Sequence, residues 1–174
     1  MRKQRQQIAG GKYHIYSRGN EKKRIFLFPS DYEKFLKFLE EYSLKYNIDI
    51  FSYCLMSNHF HLLLKTNEAN LSTFMERLLW RYVVWFNFKY DRVGHLFQSR
   101  FKSEEILDHR YFLEVSRYIH LNPCEAGIVK SPEKYEWSSY SIMLGQKENV
   151  FLNKSILENF GNIQAYNEFV LNRL

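Results

Sequence analysis

Two histidines stand one residue apart in an otherwise apolar run, YCLMSNHFHLLLKT, at residues 53–66. Side chains at positions i and i+2 leave a β-strand on the same face, so His59 and His61 are predicted to project together while Phe60 points away. Burying an imidazole is costly unless both ring nitrogens find partners. Two imidazoles on one face could therefore share a ligand such as a metal ion. Taken alone, a pair of hydrogen-bonded structural histidines is the simpler explanation.

A second set of reactive groups lies in the predicted helix 108–122. Residues four positions apart share one side of a helix, so Tyr118 and Asn122 are predicted to lie together, with Tyr111 and Glu114 extending the same face. If this face lies across the sheet from the histidine pair, the amide oxygen of Asn122 can complete a metal site. The phenol of Tyr118 could then reach a metal-bound phosphate.

Such a constellation points to chemistry on a phosphodiester. A cation held by two imidazoles and an oxygen could polarise the phosphate and stabilise the charge that develops in the transition state. A phenol attacks only as phenolate, and with a reference pKa of about 10 it needs help from the metal or a base at neutral pH. The phosphotyrosine ester would conserve the energy of the broken bond, so rejoining would need no nucleoside triphosphate. The same donors also suit a zinc hydrolase that activates water.

The charge of the chain favours a polyanionic partner. The formal net charge is +6 and the sequence pI is about 9.2. On the predicted helix 71–90, basic residues and one tryptophan recur every four positions, a stripe that could bind phosphates and unstacked bases. A solvated basic surface explains the same pattern equally simply. The candidate DNA-binding residues are Arg77, Arg81, Trp85, Lys89, Arg100 and Lys102.

Hydrophobic periodicity and turn signals predict the element order β-α-β-β-α-β, followed by a further helix. This order suits an α+β fold, an antiparallel sheet with helices packed on one face. We expect Ser30 and Glu33 to cap the first helix, Asp108 to cap the third, and Pro123 to stop it. The predicted strands are 12–18, 48–57, 59–66 and 95–107, and the predicted helices are 29–47, 71–90 and 108–122, with two short helices within about 152–173.

Length and composition predict a single domain over residues 1–174, with a core of about 12–143 and a helical tail of about 152–174. No apolar segment approaches the roughly 20 residues of a membrane helix, and the first residues lack the apolar region of a signal peptide. We therefore expect a cytoplasmic protein without a membrane partner. Cys54 and Cys124 form no C-x-x-C pair, so neither a disulfide framework nor a zinc ribbon is indicated.

Four motifs together resemble the REP-associated tyrosine transposases of the single-tyrosine HUH nuclease superfamily. They are NHFH at 58–61, GHLFQSRFKS at 94–103, RYIHLNP at 117–123 and WSSY at 137–140, and the resemblance spans about residues 12–143. It implies a ferredoxin-like sheet with the two histidines on a central strand. It also implies a divalent metal, Mg²⁺ or Mn²⁺, and attack on single-stranded DNA beside hairpins.

By the same resemblance, His59 and His61 match the metal-binding histidines, Asn122 the third ligand and Tyr118 the nucleophile. Ser57 stands where the family often has proline, and neither this nor other departures remove a reactive group. We therefore predict a transposase-like, metal-dependent endonuclease and strand transferase. It would act on single-stranded DNA with a hairpin or palindromic repeat, through a 5′-phosphotyrosine.

Two other functions stay open from the sequence. One is a catalytically silent protein that binds DNA hairpins, which a degraded site would have indicated, and the other is the hydrolase that uses activated water. The motifs are equally compatible with a monomer and with a homodimer.

Overall fold

A four-stranded antiparallel sheet forms the centre of the fold. The structure is a computed structural model that describes residues 8–149 and 151–173. Its strands are β1 (Lys12–Arg18), β2 (Ile48–Met56), β3 (His59–Thr66) and β4 (Lys102–Glu105). They lie in the order β2-β3-β1-β4, with every neighbouring pair antiparallel. The strand that carries the two histidines is therefore a central strand, as predicted.

Two crossover helices, α1 (Pro29–Lys45) and α2 (Leu71–Lys89), pack on one face of this sheet. Phe35 of α1 lies 5.1 Å from the ring of Phe60 in β3 and 5.1 Å from the ring of Tyr82 in α2. These rings join both helices to the sheet through one apolar core. The β-α-β-β-α-β order and the ferredoxin-like α+β fold are thus confirmed.

A third helix, α3 (His109–Glu125), covers the opposite face. Its Phe112 contacts Phe51 of β2 with ring centroids 5.0 Å apart, and its Ser116 is hydrogen-bonded to Ser52 at 2.7 Å. The prediction of helices on one face therefore holds for the two crossover helices and not for α3. Because His61 projects to the face opposite Phe60, the helix bearing Tyr118 lies on the histidine side of the sheet.

The remaining elements are short. Single 3-10 turns lie at Asn20–Lys22 and Pro132–Lys134, and near the end of the chain are α4 (Tyr140–Met143), α5 (Ile163–Leu171) and the 3-10 turn Ser155–Asn159. The last two are the short helices predicted within about 152–173. Among the residues that the structure describes, no helix has the length and hydropathy required to cross a bilayer.

The boundaries of two helices differ from the prediction. At α1 the cap is Phe28, and the carboxylate of Asp31 accepts hydrogen bonds from the backbone of Leu27 and Phe28 at 2.7 and 3.0 Å, so the Ser30 cap was wrong. Proline at the first helical position fits this earlier start, because its missing N–H would be unpaired there anyway.

Helix α3 continues through Pro123 to Glu125 instead of stopping there. A proline in the last turn removes only one intrahelical hydrogen bond, and the backbone N–H of Ala126 still donates to Asn122 at 3.0 Å. The helix therefore tolerates Pro123 and ends one turn later.

The predicted strand 95–107 is also shorter in the structure, where β4 covers only Lys102–Glu105. Residues 95–101 run irregularly past the end of β1, linked to it by one isolated bridge between Gly19 and Phe97. Strand β1 ends at Arg18, so it offers residues 95–101 no strand partner beyond that point.

A continuous chain of buried hydrogen bonds joins β2, α3, α5 and the residue before α4. Ser52 bonds Ser116 at 2.7 Å, and Ser116 bonds the phenol of Tyr166 at 2.9 Å. That phenol bonds Nδ1 of His120 at 2.8 Å, while Nε2 of His120 bonds Ser139 at 2.8 Å. Burial lowers the pKa of His120 to about 3, so its ring stays neutral, with one nitrogen donating and the other accepting. This chain of hydrogen bonds fixes α3 against β2.

Replacing Tyr166 by phenylalanine should destabilise the protein by about 1–3 kcal/mol, because Ser116 and His120 each lose a buried partner. Urea denaturation followed by circular dichroism measures the change. Tyr42→Phe is the matched control, since this partly buried tyrosine of α1 lies outside the hydrogen-bond chain. Equal stability of both variants would show that the chain contributes little.

Candidate active site

An open cleft of about 940 Å³ lies on the face of the sheet that α3 covers. Its walls come from β1, β3, β4 and α3, so residues distant in sequence meet there. Side chains that line it include His14, Tyr16, Arg18, His59, His61, Arg100, Lys102, Glu104, Tyr111, Glu114, Tyr118, Asn122 and Glu125. All four residues predicted to form the catalytic and metal-binding set are among them.

The histidine pair and the tyrosine are in direct contact range. The ring centroids of His59 and His61 lie 5.2 Å apart, and those of His61 and Tyr118 lie 5.4 Å apart. The side chain of Asn122 lines the same cleft and lies near enough to His59 and Tyr118 to affect the pKa of each. The fold therefore brings the strand and the helix together, and the four candidate residues share one cleft.

One nitrogen of each imidazole is fixed by a neighbour. Nδ1 of His59 lies 2.7 Å from the amide oxygen of Asn58 and donates to it, since that oxygen can only accept. Nδ1 of His61 lies 3.0 Å from Nε2 of His14. In both rings this leaves Nε2 as the nitrogen for a metal ion. Such hydrogen bonds to the second nitrogen are what orients a metal-binding histidine.

His14 and Glu104 extend the site and were not found from the sequence. Nδ1 of His14 lies 3.9 Å from the carboxylate of Glu104, which also accepts a hydrogen bond from Tyr16 at 2.9 Å. The groups form a line from His61 through His14 to Glu104. Alternation in β1 places His14, Tyr16 and Arg18 on one face, but only the pairing of β1 with β3 and β4 shows that this face adjoins His61.

Burial holds the imidazoles of the cleft neutral. Burial, together with the proximity of His14, His59 and Arg18, lowers the pKa of His61 to about 2. Burial also lowers the pKa of His59, with Arg18 adding to the effect, and it lowers the pKa of His14 against the opposing charge of Glu104. At pH 7 the ring nitrogens therefore keep the lone pairs that metal binding requires.

The phenol of Tyr118 is only partly buried and opens to the cleft. Burial raises its pKa, and the negative charge of Glu125 raises it further, while the neighbouring amide of Asn122 and the positive charge of Arg18 lower it. The phenol accordingly keeps its proton at neutral pH. Additional positive charge near its oxygen is needed to make it a nucleophile.

An acidic third ligand is absent from the described part of the chain. No group of three or more histidine, cysteine, aspartate or glutamate residues is arranged there to hold a metal ion. The oxygen donor beside the histidine pair is instead the amide of Asn122. Glu114 forms an ion pair with Arg117, which explains this glutamate without a role at the metal.

The predicted DNA-binding residues fall into two groups. Arg100 and Lys102 line the cleft. The stripe on α2 lies on the other face of the sheet, where Lys89 bonds Asp31 at 2.6 Å and packs 4.9 Å from the ring of Trp85. Arg77 and Arg81 are exposed on the same helix. DNA binding by this stripe stays a prediction, because the structure does not bring it to the cleft.

Comparison with known proteins gives one family and similar solved structures. The family described as "Transposase IS200 like" matches residues 7–122. A solved REP-associated tyrosine transposase bound to a REP hairpin superposes with a TM-score of 0.68 at 15% identity, over 88% of this chain and 94% of that one. A candidate transposase from Deinococcus radiodurans R1 gives a TM-score of 0.48 at 14% identity, over 68% and 95%. No curated protein matches the sequence.

Replacing Arg18 by methionine should raise the pKa of the Tyr118 phenol, because the guanidinium charge that favours the phenolate is removed. Titration of ¹³C-labelled tyrosine by NMR measures the shift, with Tyr118→Phe identifying the signal. Lys22→Met is the matched control, since Lys22 is an exposed cation of the same cleft that does not shift this pKa. An unchanged titration in the Arg18 variant would show that Arg18 has no electrostatic effect on the phenol.

Proposed function

Because the chain belongs to the IS200-like transposase family, we propose that it cuts and rejoins single-stranded DNA with Tyr118 as the nucleophile. The observation that carries this proposal is the closeness of Tyr118 to the histidine pair, since its ring centroid lies 5.4 Å from that of His61. The amide of Asn122 lines the same cleft, near both His59 and Tyr118. A tyrosine of the core or surface would have no reason to adjoin a metal-ligand set.

His59, His61 and Asn122 would hold a divalent cation, Mg²⁺ or Mn²⁺. This donor set fits such an ion, since both imidazoles are neutral and each has its Nδ1 engaged elsewhere. When bound, the cation supplies positive charge that polarises the phosphate and favours the phenolate. The protein supplies the orientation of these donors and of the phenol.

The step at Tyr118 is a transesterification. Its phenol gives up a proton to solvent, and the phenolate oxygen attacks the phosphorus of the scissile phosphodiester. A bond forms between phosphorus and the tyrosyl oxygen, and the bond from phosphorus to the 3′ oxygen breaks. The 3′ oxygen takes up a proton, which leaves a free 3′-hydroxyl and a 5′-phosphotyrosine. Attack by another 3′-hydroxyl reverses the sequence and rejoins DNA without a nucleoside triphosphate.

The cleft is suited to a phosphate backbone. Arg18, Arg100 and Lys102 line it together with the reactive groups. We further propose that the substrate carries a hairpin or palindromic repeat beside the cleavage site. The solved protein with this fold is bound to a REP hairpin, which supports that choice.

The alternative of a silent hairpin-binding protein is less favoured by the geometry. Such a protein has no need to keep Tyr118, Asn122 and the histidine pair in mutual contact. A hydrolase that uses water would have the same donors but would never become linked to DNA. Formation of a covalent adduct therefore separates the proposal from both alternatives.

Tyr118→Phe should abolish the covalent adduct with a hairpin-flanked single-stranded oligonucleotide in the presence of Mn²⁺. The phenylalanine ring keeps the packing and lacks the oxygen that bonds to phosphorus. Denaturing gel electrophoresis with a labelled oligonucleotide detects the adduct. Tyr111→Phe is the matched control, because Tyr111 lines the same cleft and should leave adduct formation intact. An adduct with the Tyr118 variant would refute the assignment.

His14→Phe should weaken Mn²⁺ binding about 10- to 100-fold, because His61 would lose the hydrogen bond that orients its ring. Isothermal titration calorimetry with MnCl₂ and DNA-free protein measures the affinity. His61→Ala should lose binding altogether. His109→Phe, at an exposed histidine that bonds Asn159, should bind like the unmodified protein. Unchanged Mn²⁺ affinity in His14→Phe would show that His14 does not contribute to metal binding.

A further inference from the structure

A second cleft, of about 740 Å³, lies between α2 and the irregular segment 94–101. Its apolar wall contains Leu79, Trp80 and Val83 of α2 together with Phe97 of the segment. The indole of Trp80 is 56% exposed, which is unusual for so large an apolar ring. Clefts of about 300–1,000 Å³ with apolar walls are typical of small-ligand sites.

This cleft adjoins the candidate active site. Gln98, Ser99 and Arg100 line both clefts, so a bound strand could pass from one to the other over these residues. The segment is held in place at the end of β1, where the backbone N–H of Gln98 donates to Arg18 at 3.0 Å. Arg100 thus stands at the junction, where a phosphate between two nucleotides would lie.

The composition of the second cleft matches a nucleobase. A base offers a flat face that stacks on an aromatic ring and a polar edge that forms hydrogen bonds. The cleft pairs the exposed indole of Trp80 with polar side chains, namely those of Asn20, Glu76, His95 and Gln98. An apolar protein partner would leave these polar groups without hydrogen-bond partners of their own.

We infer that the second cleft binds an unpaired nucleotide of the DNA strand that is cut, with its base stacked on Trp80 and its phosphate at Arg100. This inference rests on the proposed function for its substrate class. It assigns to the cleft a separate task, which is to hold the strand on one side of the scissile phosphate so that the phosphorus stays in front of Tyr118.

The test uses the whole protein and fluorescein-labelled oligothymidylate, with binding measured by fluorescence anisotropy. Trp80→Ala should weaken binding roughly five- to a hundredfold, the effect of removing one base-aromatic stack. Trp80→Phe should restore most of the affinity. Phe88→Ala is the matched control, because Phe88 is an 88% exposed ring of the same helix that does not line the cleft.

Three results would overturn the inference. The first is an affinity of Trp80→Ala for the oligonucleotide within twofold of the unmodified protein, and the second is an equal loss of affinity in Phe88→Ala. The third is a smaller mass of Trp80→Ala in sedimentation, which would show that the surface is an interface between two copies. The adduct at Tyr118 is assayed separately with the unmodified protein. If the adduct forms and Trp80→Ala binds normally, only the nucleotide-binding role of the second cleft is refuted. If Trp80→Ala binds weakly and no adduct forms, the proposed nuclease activity is refuted and the nucleotide site remains supported.

Discussion

The buried hydrogen-bond chain that runs from Ser52 to Ser139 is the interaction on which the candidate active site depends. Apolar packing is not directional, so by itself it would tolerate some rotation of α3 about its axis. Ser116 and His120 lie four residues apart on α3 and take part in the chain, while Tyr118 and Asn122 lie two residues further on. Two residues correspond to about 200° around a helix. Because the chain of hydrogen bonds fixes the side of α3 with Ser116 and His120, the opposite side, with Tyr118 and Asn122, faces the histidine pair.

The charges of the cleft follow a consistent pattern. His59, His61 and Asn122 are neutral donors, so a dication held by them would keep most of its charge for the phosphate. Two of the carboxylates in the cleft are engaged by other groups, Glu104 by Tyr16 and Glu114 by Arg117. A site of three neutral donors would bind a cation more weakly than a site rich in carboxylates, and a phosphate of the proposed DNA substrate would supply the missing negative charge.

Much of this arrangement could be predicted from local patterns. Alternation in β3 places His59 and His61 on one face, and four-residue spacing in α3 places Tyr118 with Asn122, because each pattern is a property of one element. The resemblance to the tyrosine transposases then singled out these four residues. The limits of β1 were predicted correctly for the same reason.

What the sequence did not indicate depends on tertiary contacts. His14 looks like any histidine of a strand until β1 pairs with β3, and Glu104 becomes its neighbour only through β4. The basic stripe of α2 has ideal spacing, yet spacing does not say on which face of the sheet a helix lies. The start of α1 at Phe28, where Asp31 accepts from the backbone, and the passage of α3 through Pro123 were missed because both depend on contacts with neighbouring backbone.

The match to the family ends at residue 122, but the hydrogen bonds that hold α3 in place include those of Tyr166, which lies far beyond that limit. The final helix therefore helps to hold α3, the helix that carries the proposed nucleophile Tyr118. Loss of the final helix through a frameshift or an early stop codon would remove Tyr166. The Tyr118 phenol would then be oriented less firmly, while the four predicted catalytic and metal-binding residues would all be kept. In evolution, such a lesion would be a simple route from an active enzyme to a protein that only binds DNA.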